Sequence, residues 1–254
     1  MTQLVLENVN VDFPIYGTHR SLRKALLRGA TGGLIGRDTA HTNRVTIRAL
    51  VDINLNLKEG DRLGLVGHNG AGKSTILKVM AGVYEPTSGR ILHRGRITPL
   101  FDSMPGMDTE DSGYENTITS GMLFGMTRSQ IEAKVPDIAE FSELGEYFDL
   151  PMRTYSLGMQ TRLGFALATA IDPGILLMDE GIGAGDARFA ERAASRMTNF
   201  IAQSQIMVLA SHSEPLIRQT CNKAAFMKAG RIVSLGSVDE IFKEYHESIK
   251  EPAN

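Results

Sequence analysis

The sequence predicts an α/β fold: a mostly parallel sheet, an antiparallel β region ahead of it and a helical insertion. Three observations predict this. Gly67-His68-Asn69-Gly70-Ala71-Gly72-Lys73-Ser74 fits G-x-x-x-x-G-K-[ST] at every fixed position and lies between a strand pattern at residues 61–66 and a helical pattern at residues 75–80. Two continuous apolar runs, residues 174–178 and 205–210, suit strands buried on both faces. From about residue 103 to 170 the chain becomes Met-, Glu- and Leu-rich and helical, with little β-branching. Alternating strands and helices imply a mostly parallel sheet, here with an inserted helical region.

Taken in order, residues 3–13 alternate apolar and polar. Leu4, Leu6, Val9, Val11 and Phe13 predict a strand at an exposed edge. The pattern then breaks, and residues 17–48 carry seven Lys/Arg and one acid, Asp38. Within them, residues 21–28 fit a short amphipathic helix and residues 29–36 a glycine-rich mobile loop. This basic insertion reads equally as a solvated surface segment or as a contact to anionic headgroups or a partner. Alternation resumes at residues 52–57 and leads into the glycine-rich loop. Residues 90–93 and 96–101 predict one or two further strands, and residues 128–144 an amphipathic helix or helix pair broken at Pro136.

The chain has 254 residues, 42% of them hydrophobic, enough for a real core in one large or two small domains. A formal net charge of −2 argues against bulk electrostatic binding, so no nucleic-acid partner is expected. The single cysteine, Cys221, excludes an intrachain disulfide and a cysteine-based zinc site. The N-terminal residues lack the basic-then-apolar pattern of a signal peptide. No run reaches about 18 consecutive apolar residues, so any membrane span is expected from another polypeptide.

The glycine-rich loop has a specific chemistry. Its glycines let successive N–H groups turn toward phosphate oxygens, and the helix start adds its positive dipole end. Lys73 can then reach β- and γ-phosphates, and the Ser74 hydroxyl can hold Mg²⁺. The run ending in Asp179-Glu180 places two acids at a strand's carboxyl end, where α/β sheets open onto their ligand crevice. Asp179 is placed to bind Mg²⁺ and Glu180 to orient the attacking water. His212 follows the second buried strand and is placed to sense the γ-phosphate. His19, His41, His68, His93 and His246 lack such a context, and His68 is expected to face solvent.

These residues resemble, over nearly the whole chain, the nucleotide-binding subunit of an ABC transporter. Residues 67–74 match the Walker A motif and residues 175–179 the Walker B, Glu180 falls on the catalytic glutamate, and His212 falls on the switch histidine. Gly183-Ala184-Gly185-Asp186 matches the D-loop, with Asp186 kept. Tyr155-Ser156-Leu157-Gly158-Met159 falls on the family signature, usually L-S-G-G-Q, with Ser156 and Gly158 kept and Met159 replacing glutamine. The resemblance implies a P-loop NTPase fold of the ABC type: residues 1–254 form one nucleotide-binding domain, with a helical subdomain at about 103–170 and the basic insertion at 17–48. It implies ATP and Mg²⁺ as cofactors. Nucleotide contacts are expected from Gly67, His68, Asn69, Gly70, Ala71, Gly72, Lys73, Ser74 and Thr75, and from Ser156, Gly158 and Asp186 of the facing copy. Phe13 or Tyr16 is expected to stack on adenine, with Phe13 preferred on spacing. The Q-loop glutamine is absent; Asp102 stands in its place and becomes the candidate Mg²⁺ ligand beside Ser74 and Asp179.

The same resemblance implies a dimer with two sandwiched ATPs, paired with two copies of a transmembrane permease on the cytoplasmic face of the membrane. The Tyr-Ser-x-Gly-Met signature, Gly113-Tyr114-Glu115-Asn116 and Asp-Glu-Gly-Ile-Gly-Ala-Gly-Asp are similar to exporters of cell-surface polysaccharides, including O-antigen, capsule and teichoic acid systems. The expected activity is therefore ATP hydrolysis that drives export of a lipid-linked polysaccharide. The rivals are an ABC transporter subunit for another substrate and a soluble non-transport ABC ATPase; the variant signature opposes the first and the single Walker A the second. The chain ends at Asn254, so glycan selection by an appended carbohydrate-binding domain is not expected.

Overall fold

The computed structural model describes residues 1–15, 34–37, 45–100, 106–179 and 187–250. The chain divides into two compact units. The first comprises Met1–Gly95, Leu177–Glu180 and Gln205–Asn254; the second comprises Arg96–Leu176 and Gly181–Ser204.

The first unit holds an antiparallel sheet of order β2-β3-β1-β5, from β1 (Gln3–Ile15), β2 (Leu34–Arg37), β3 (Val45–Lys58) and β5 (Ser88–Arg94). β1 is not an edge: it pairs antiparallel with β3 on one side and β5 on the other. Alternation reports which face is buried, and says nothing about how many neighbours a strand has. The step from Leu6 to Val9 in the apolar pattern marks a register shift. Asn8 and Asp52 take positive φ there, and their N–H groups donate to Asn54 Oδ1 and Asn10 Oδ1, each at 2.9 Å. Asparagine thus satisfies the backbone groups that the irregularity frees. Part of the expected glycine-rich loop is strand: Leu34–Arg37 pairs with β3 from Leu34↔Arg48 to Arg37↔Val45. Ladder pairing there overrides glycine's low strand preference. The rest of the basic insertion before Val45 lies outside the described residues.

The second sheet of this unit runs β10-β9-β4-β8-β7, from β4 (Arg62–Val66), the last three residues of β7 (Ile175–Asp179), β8 (Ile206–Ala210), β9 (Lys223–Lys228) and β10 (Arg231–Gly236), with β10 antiparallel to β9. β4 pairs parallel with β8 and β9, and Leu63, Leu65, Ile206, Met207 and Val208 are wholly buried. Asp61 fastens the start of β4. It accepts the Lys58 N–H at 3.0 Å and pairs with Lys223 Nζ at 2.7 Å. Burial pushes its carboxyl up, but the Lys223 hydrogen bond, the Lys58 amide and both lysine charges outweigh this and hold it below the ordinary 3.8. Helices α1 (Lys73–Met80), α6 (Glu214–Thr220) and α7 (Val238–Lys250) complete the unit.

The second unit holds β6 (Ile97–Leu100) and the first two residues of β7, with Ile175 N–H donating to Arg96 O at 2.7 Å. Its helices are α2 (Gly113–Leu123), α3 (Arg128–Ser142), α4 (Leu157–Ala170) and α5 (Ala187–Gln203). Pro136 does not break α3, which runs through it as one helix. Proline removes a single i→i−4 bond, and Ile131, Ile138 and Phe141 anchor the helix on both sides of it. The rings of Phe141, Phe165 and Phe189 meet at 5.4 to 5.9 Å. Arg192 and Arg196 lie over Phe141, and Arg196 also grips Asp137 with two nitrogens.

Candidate functional site

The central cleft is built around the turn from β4 into α1. Two glycines are dictated by space and conformation. A Cβ on Gly67 would lie 2.3 Å from the Met227 carbonyl oxygen, so no other residue fits without moving β9. Gly72 takes φ +106°, a left-handed conformation that L side chains rarely adopt. Gly72 is also the N-cap of α1 and offers no capping side chain, which leaves the first-turn N–H groups oriented toward an incoming anion. The loop is braced from behind: Gly230 N–H donates to Ala71 O at 3.0 Å, and Val51 N–H donates to Gly230 O at 2.9 Å.

Lys73 is 8% exposed and follows the loop's inner edge. Its Nζ donates to Gly67 O at 2.6 Å and His68 O at 3.3 Å, and lies 3.4 Å from His212 Nε2. β7 carries Asp179 to its carboxyl end, and β8 leads through buried Ser211 to exposed His212. Ser211 Oγ accepts the Ser213 N–H at 2.9 Å and Ser213 caps α6, so His212 is held between two local turns. A cleft of about 410 Å³ results. It is lined by Ala49, by the loop from His68 to Thr75 except Ala71, and by Asp179 and His212.

The structure therefore brings His68, Asn69, Gly70, Gly72, Lys73, Ser74, Thr75, Asp179 and His212 to one cleft. Gly67 and Ala71 are buried beneath it. Phe13 is not among the lining residues; its ring stands edge-on against Tyr84 at 5.2 Å. Tyr16, Asp102, Glu180 and Asp186 lie outside the described residues. Ser156 and Gly158 belong to the second unit, where Ser156 is the N-cap of α4 and its Oγ accepts the Met159 N–H at 3.2 Å. The neighbouring Leu157 is 76% exposed.

Three participants escaped the sequence reading. Ala49 lines the cleft from β3, Gly230 braces the loop, and Tyr245 of α7 places its ring 5.4 Å from that of His68. His68 is exposed, as expected, and it also packs against this helix. Only the Ala229-Gly230 turn carried a local signal; the others depend on chain crossings. Cys221 has no part in the chemistry: burial pushes its thiol up to about 11, with Thr220 and Arg62 opposing, so it stays neutral and unreactive.

The donor set fits a Mg²⁺-nucleotide. Among the described residues no group of three or more His, Cys, Asp or Glu is placed to hold a metal. The Ser74 hydroxyl on the glycine-rich loop and one carboxylate, Asp179 at the end of β7, suit a cation that keeps waters and takes phosphate oxygens.

Residues 50–183 match the family model described as ABC transporter. The chain is 47% identical over 233 residues to the O-antigen export system ATP-binding protein RfbE of Yersinia enterocolitica, covering 91% of this chain and 97% of that one. It is 38% identical to the O-antigen export system ATP-binding protein RfbB of Myxococcus xanthus, over 98% of this chain and 56% of that one. It is 36% identical to the teichoic acids export ATP-binding protein TagH of Listeria monocytogenes, over 80% of this chain and 60% of that one. The chain thus spans nearly all of the first relative and under two thirds of the other two. Among solved structures, an ATP-binding subunit of an ABC transporter superposes with a TM-score of 0.68 at 20% identity, over 96% of this chain and 93% of that one. Coverage of nearly the full length at 47% identity, with a family match that spans the glycine-rich loop and Asp179, leaves one assignment: the chain belongs to the ABC transporter family, as one of its ATP-binding proteins.

Proposed function

We propose that this chain is the ATP-hydrolysing subunit of an exporter that moves a lipid-linked polysaccharide of the O-antigen kind. The observation that carries the reading is the cleft in which Lys73, Ser74, Asp179 and His212 converge, in a chain 47% identical to an O-antigen export ATP-binding protein over nearly its full length. The phosphate loop holds the β- and γ-phosphates through its amides and Lys73. Ser74 and Asp179 hold Mg²⁺, which neutralises charge on the transferring phosphoryl group when bound. Asp102 is the further ligand from the segment after β6. Glu180 orients the attacking water, and His212 contacts the γ-phosphate from the end of β8. Phe13 or Tyr16 stacks on adenine.

Each site is completed by a second copy, which supplies Ser156 and the amides around Gly158 at the start of α4, with Asp186 nearby. Two copies pair with two copies of a separate transmembrane permease, and the chain sits peripherally at the cytoplasmic face of the membrane. Among the described residues no helix is long and apolar enough to cross a membrane, which suits that division of labour. The whole chain acts as one nucleotide-binding domain whose helical part, about 103–170, receives the permease. The basic insertion at 17–48 reaches anionic headgroups or the lipid carrier's phosphates.

Restoration of surface glycan tests the substrate class: the chain is expressed in an O-antigen export mutant lacking its own ATP-binding protein, together with this chain's own permease. Recovery of long-chain surface glycan, lost again with Lys73→Ala, is expected. ATPase activity without glycan recovery would reject the substrate assignment while keeping the enzyme.

A further inference from the structure

Two features that play no part in the cleft meet in the second unit. Tyr155 stands where the family signature usually has leucine, and Gly113-Tyr114-Glu115-Asn116 opens α2. Leucine brings only packing to that position. Tyr155 is 6% exposed, and its hydroxyl donates to the Tyr147 carbonyl at 2.6 Å. The same oxygen rests on Gly113: a Cβ there would lie 2.4 Å from Tyr155 Oη and 2.9 Å from the Phe148 carbonyl oxygen. Burial raises the phenol from its ordinary 10.0, and a hydrogen bond from the Gly113 backbone opposes that rise.

The surrounding chain is tied to the same point. Met152 N–H donates to Asp111 O at 2.9 Å and Arg153 N–H to Thr109 O at 2.8 Å. Asn116, 1% exposed, donates to the carbonyls of Asp108, Asp111 and Ser112 and accepts the Asp108 N–H at 2.8 Å. Ser112 and Glu115 close a reciprocal capping box at the start of α2. Tyr155's own N–H donates to Met152 O at 2.9 Å. The first residue of the signature is thus held by backbone and side chain together, and the next residue, Ser156, caps α4.

We propose that Tyr155 is a positioning residue: its hydroxyl, seated on Gly113 and bonded to the Tyr147 carbonyl, sets the orientation in which Ser156 and the amides of α4 meet the ATP held by a second copy. The proposal rests on reading the chain as an ATPase that dimerises around nucleotide. It makes the tyrosine signature and the Gly113–Asn116 motif two halves of one device. Glycine is required at 113 because the phenol occupies the space of its side chain.

The test uses the full chain carrying Glu180→Gln, with ATP and Mg²⁺, and light scattering to follow dimer formation. Glu180→Gln alone is expected to dimerise; a chain that stays monomeric would remove the parent reading and this inference with it. Adding Tyr155→Phe keeps the ring and removes one hydroxyl. Dimerisation should then weaken roughly tenfold, as expected for one buried hydrogen bond. Affinity for a fluorescent ATP analogue, measured on dilute monomer, should stay unchanged. With Glu180 intact, Tyr155→Phe should lower turnover at low protein concentration and recover as concentration rises; a general folding defect would lower it at every concentration. Gly113→Ala should reproduce the dimer defect, and combining it with Tyr155→Phe should cost less than the product of the two. Undiminished dimerisation of the Tyr155→Phe chain overturns the proposal, as does a matching fall in monomer ATP affinity.

Discussion

Behind the phosphate loop, the holding contacts are backbone to backbone. Gly230 bonds Ala71, Val51 bonds Gly230, and Met227's carbonyl sits where a side chain on Gly67 would be. Ahead of the signature at Ser156, side chains join the backbone bonds as holding groups: the Tyr155 phenol, the Asn116 amide, and the Ser112–Glu115 box. A loop shaped by its own backbone admits little but glycine at its critical positions and keeps one spelling. A loop shaped by side chains can be respelled, provided the partners change together. The signature here, with the Tyr155 hydroxyl seated on Gly113, is such a pairing.

Three substitutions probe that contrast and a fourth probes the start of β4, beginning with the largest effect. Gly67→Ala drives a methyl into the Met227 carbonyl and should cost about 3 kcal/mol or more of stability and abolish ATP binding. Chemical denaturation and nucleotide titration check it, and a stable ATP-binding Gly67→Ala chain would show that the loop is not shaped from behind. Lys73→Ala leaves the loop backbone in place and removes one charge, with a loss of about 2–3 kcal/mol in ATP binding by calorimetry and little change in unfolding. Asn116→Ala leaves four hydrogen-bonding backbone groups without their amide and should destabilise the chain by about 2 kcal/mol. Monomer ATP affinity should survive that loss; if it fell equally, the two loops would not be separately built.

The smallest effect concerns Asp61, whose carboxyl is held below 3.8 in the fold. A depressed carboxylate contributes stability that is present above its unfolded value and fades as pH falls through the folded one. Lys223→Met removes the partner at 2.7 Å and should cost about 1 kcal/mol at neutral pH. It should also move the acid-unfolding midpoint upward, read by circular dichroism. An unchanged midpoint would mean that the Lys223–Asp61 pair contributes nothing to acid stability.

The strand-loop-helix order around residues 61–80 was legible because three independent signals agree there: apolar run, glycine spacing and helical periodicity. The buried strands at 175–179 and 206–210 were legible for the same reason that they are buried, since continuous apolar runs leave no polar face. β1 was legible as a strand and misread as an edge, because alternation along one strand carries no information about two neighbours. Pro136 was misread as a break, because the packing that carries α3 through it comes from other helices. In the cleft, Lys73, Ser74, Asp179 and His212 were named from motif and position alone. Ala49 and Tyr245 were not, because each arrives by a chain crossing that no local pattern encodes.

By itself, the sequence determined what is local and periodic: the strands and helices with strong apolar patterns, that a glycine-rich turn joins one to the other at residues 67–74, and which acid and imidazole follow the two buried apolar runs. These are properties of short windows, where spacing and residue type leave few conformations. Only the tertiary structure decided that β1 is central, that Gly230 braces the loop, and that the Tyr155 hydroxyl occupies the side-chain space of Gly113. Those facts depend on how distant segments exclude one another's volume and satisfy one another's polar groups, and such constraints exist only once the chain is folded.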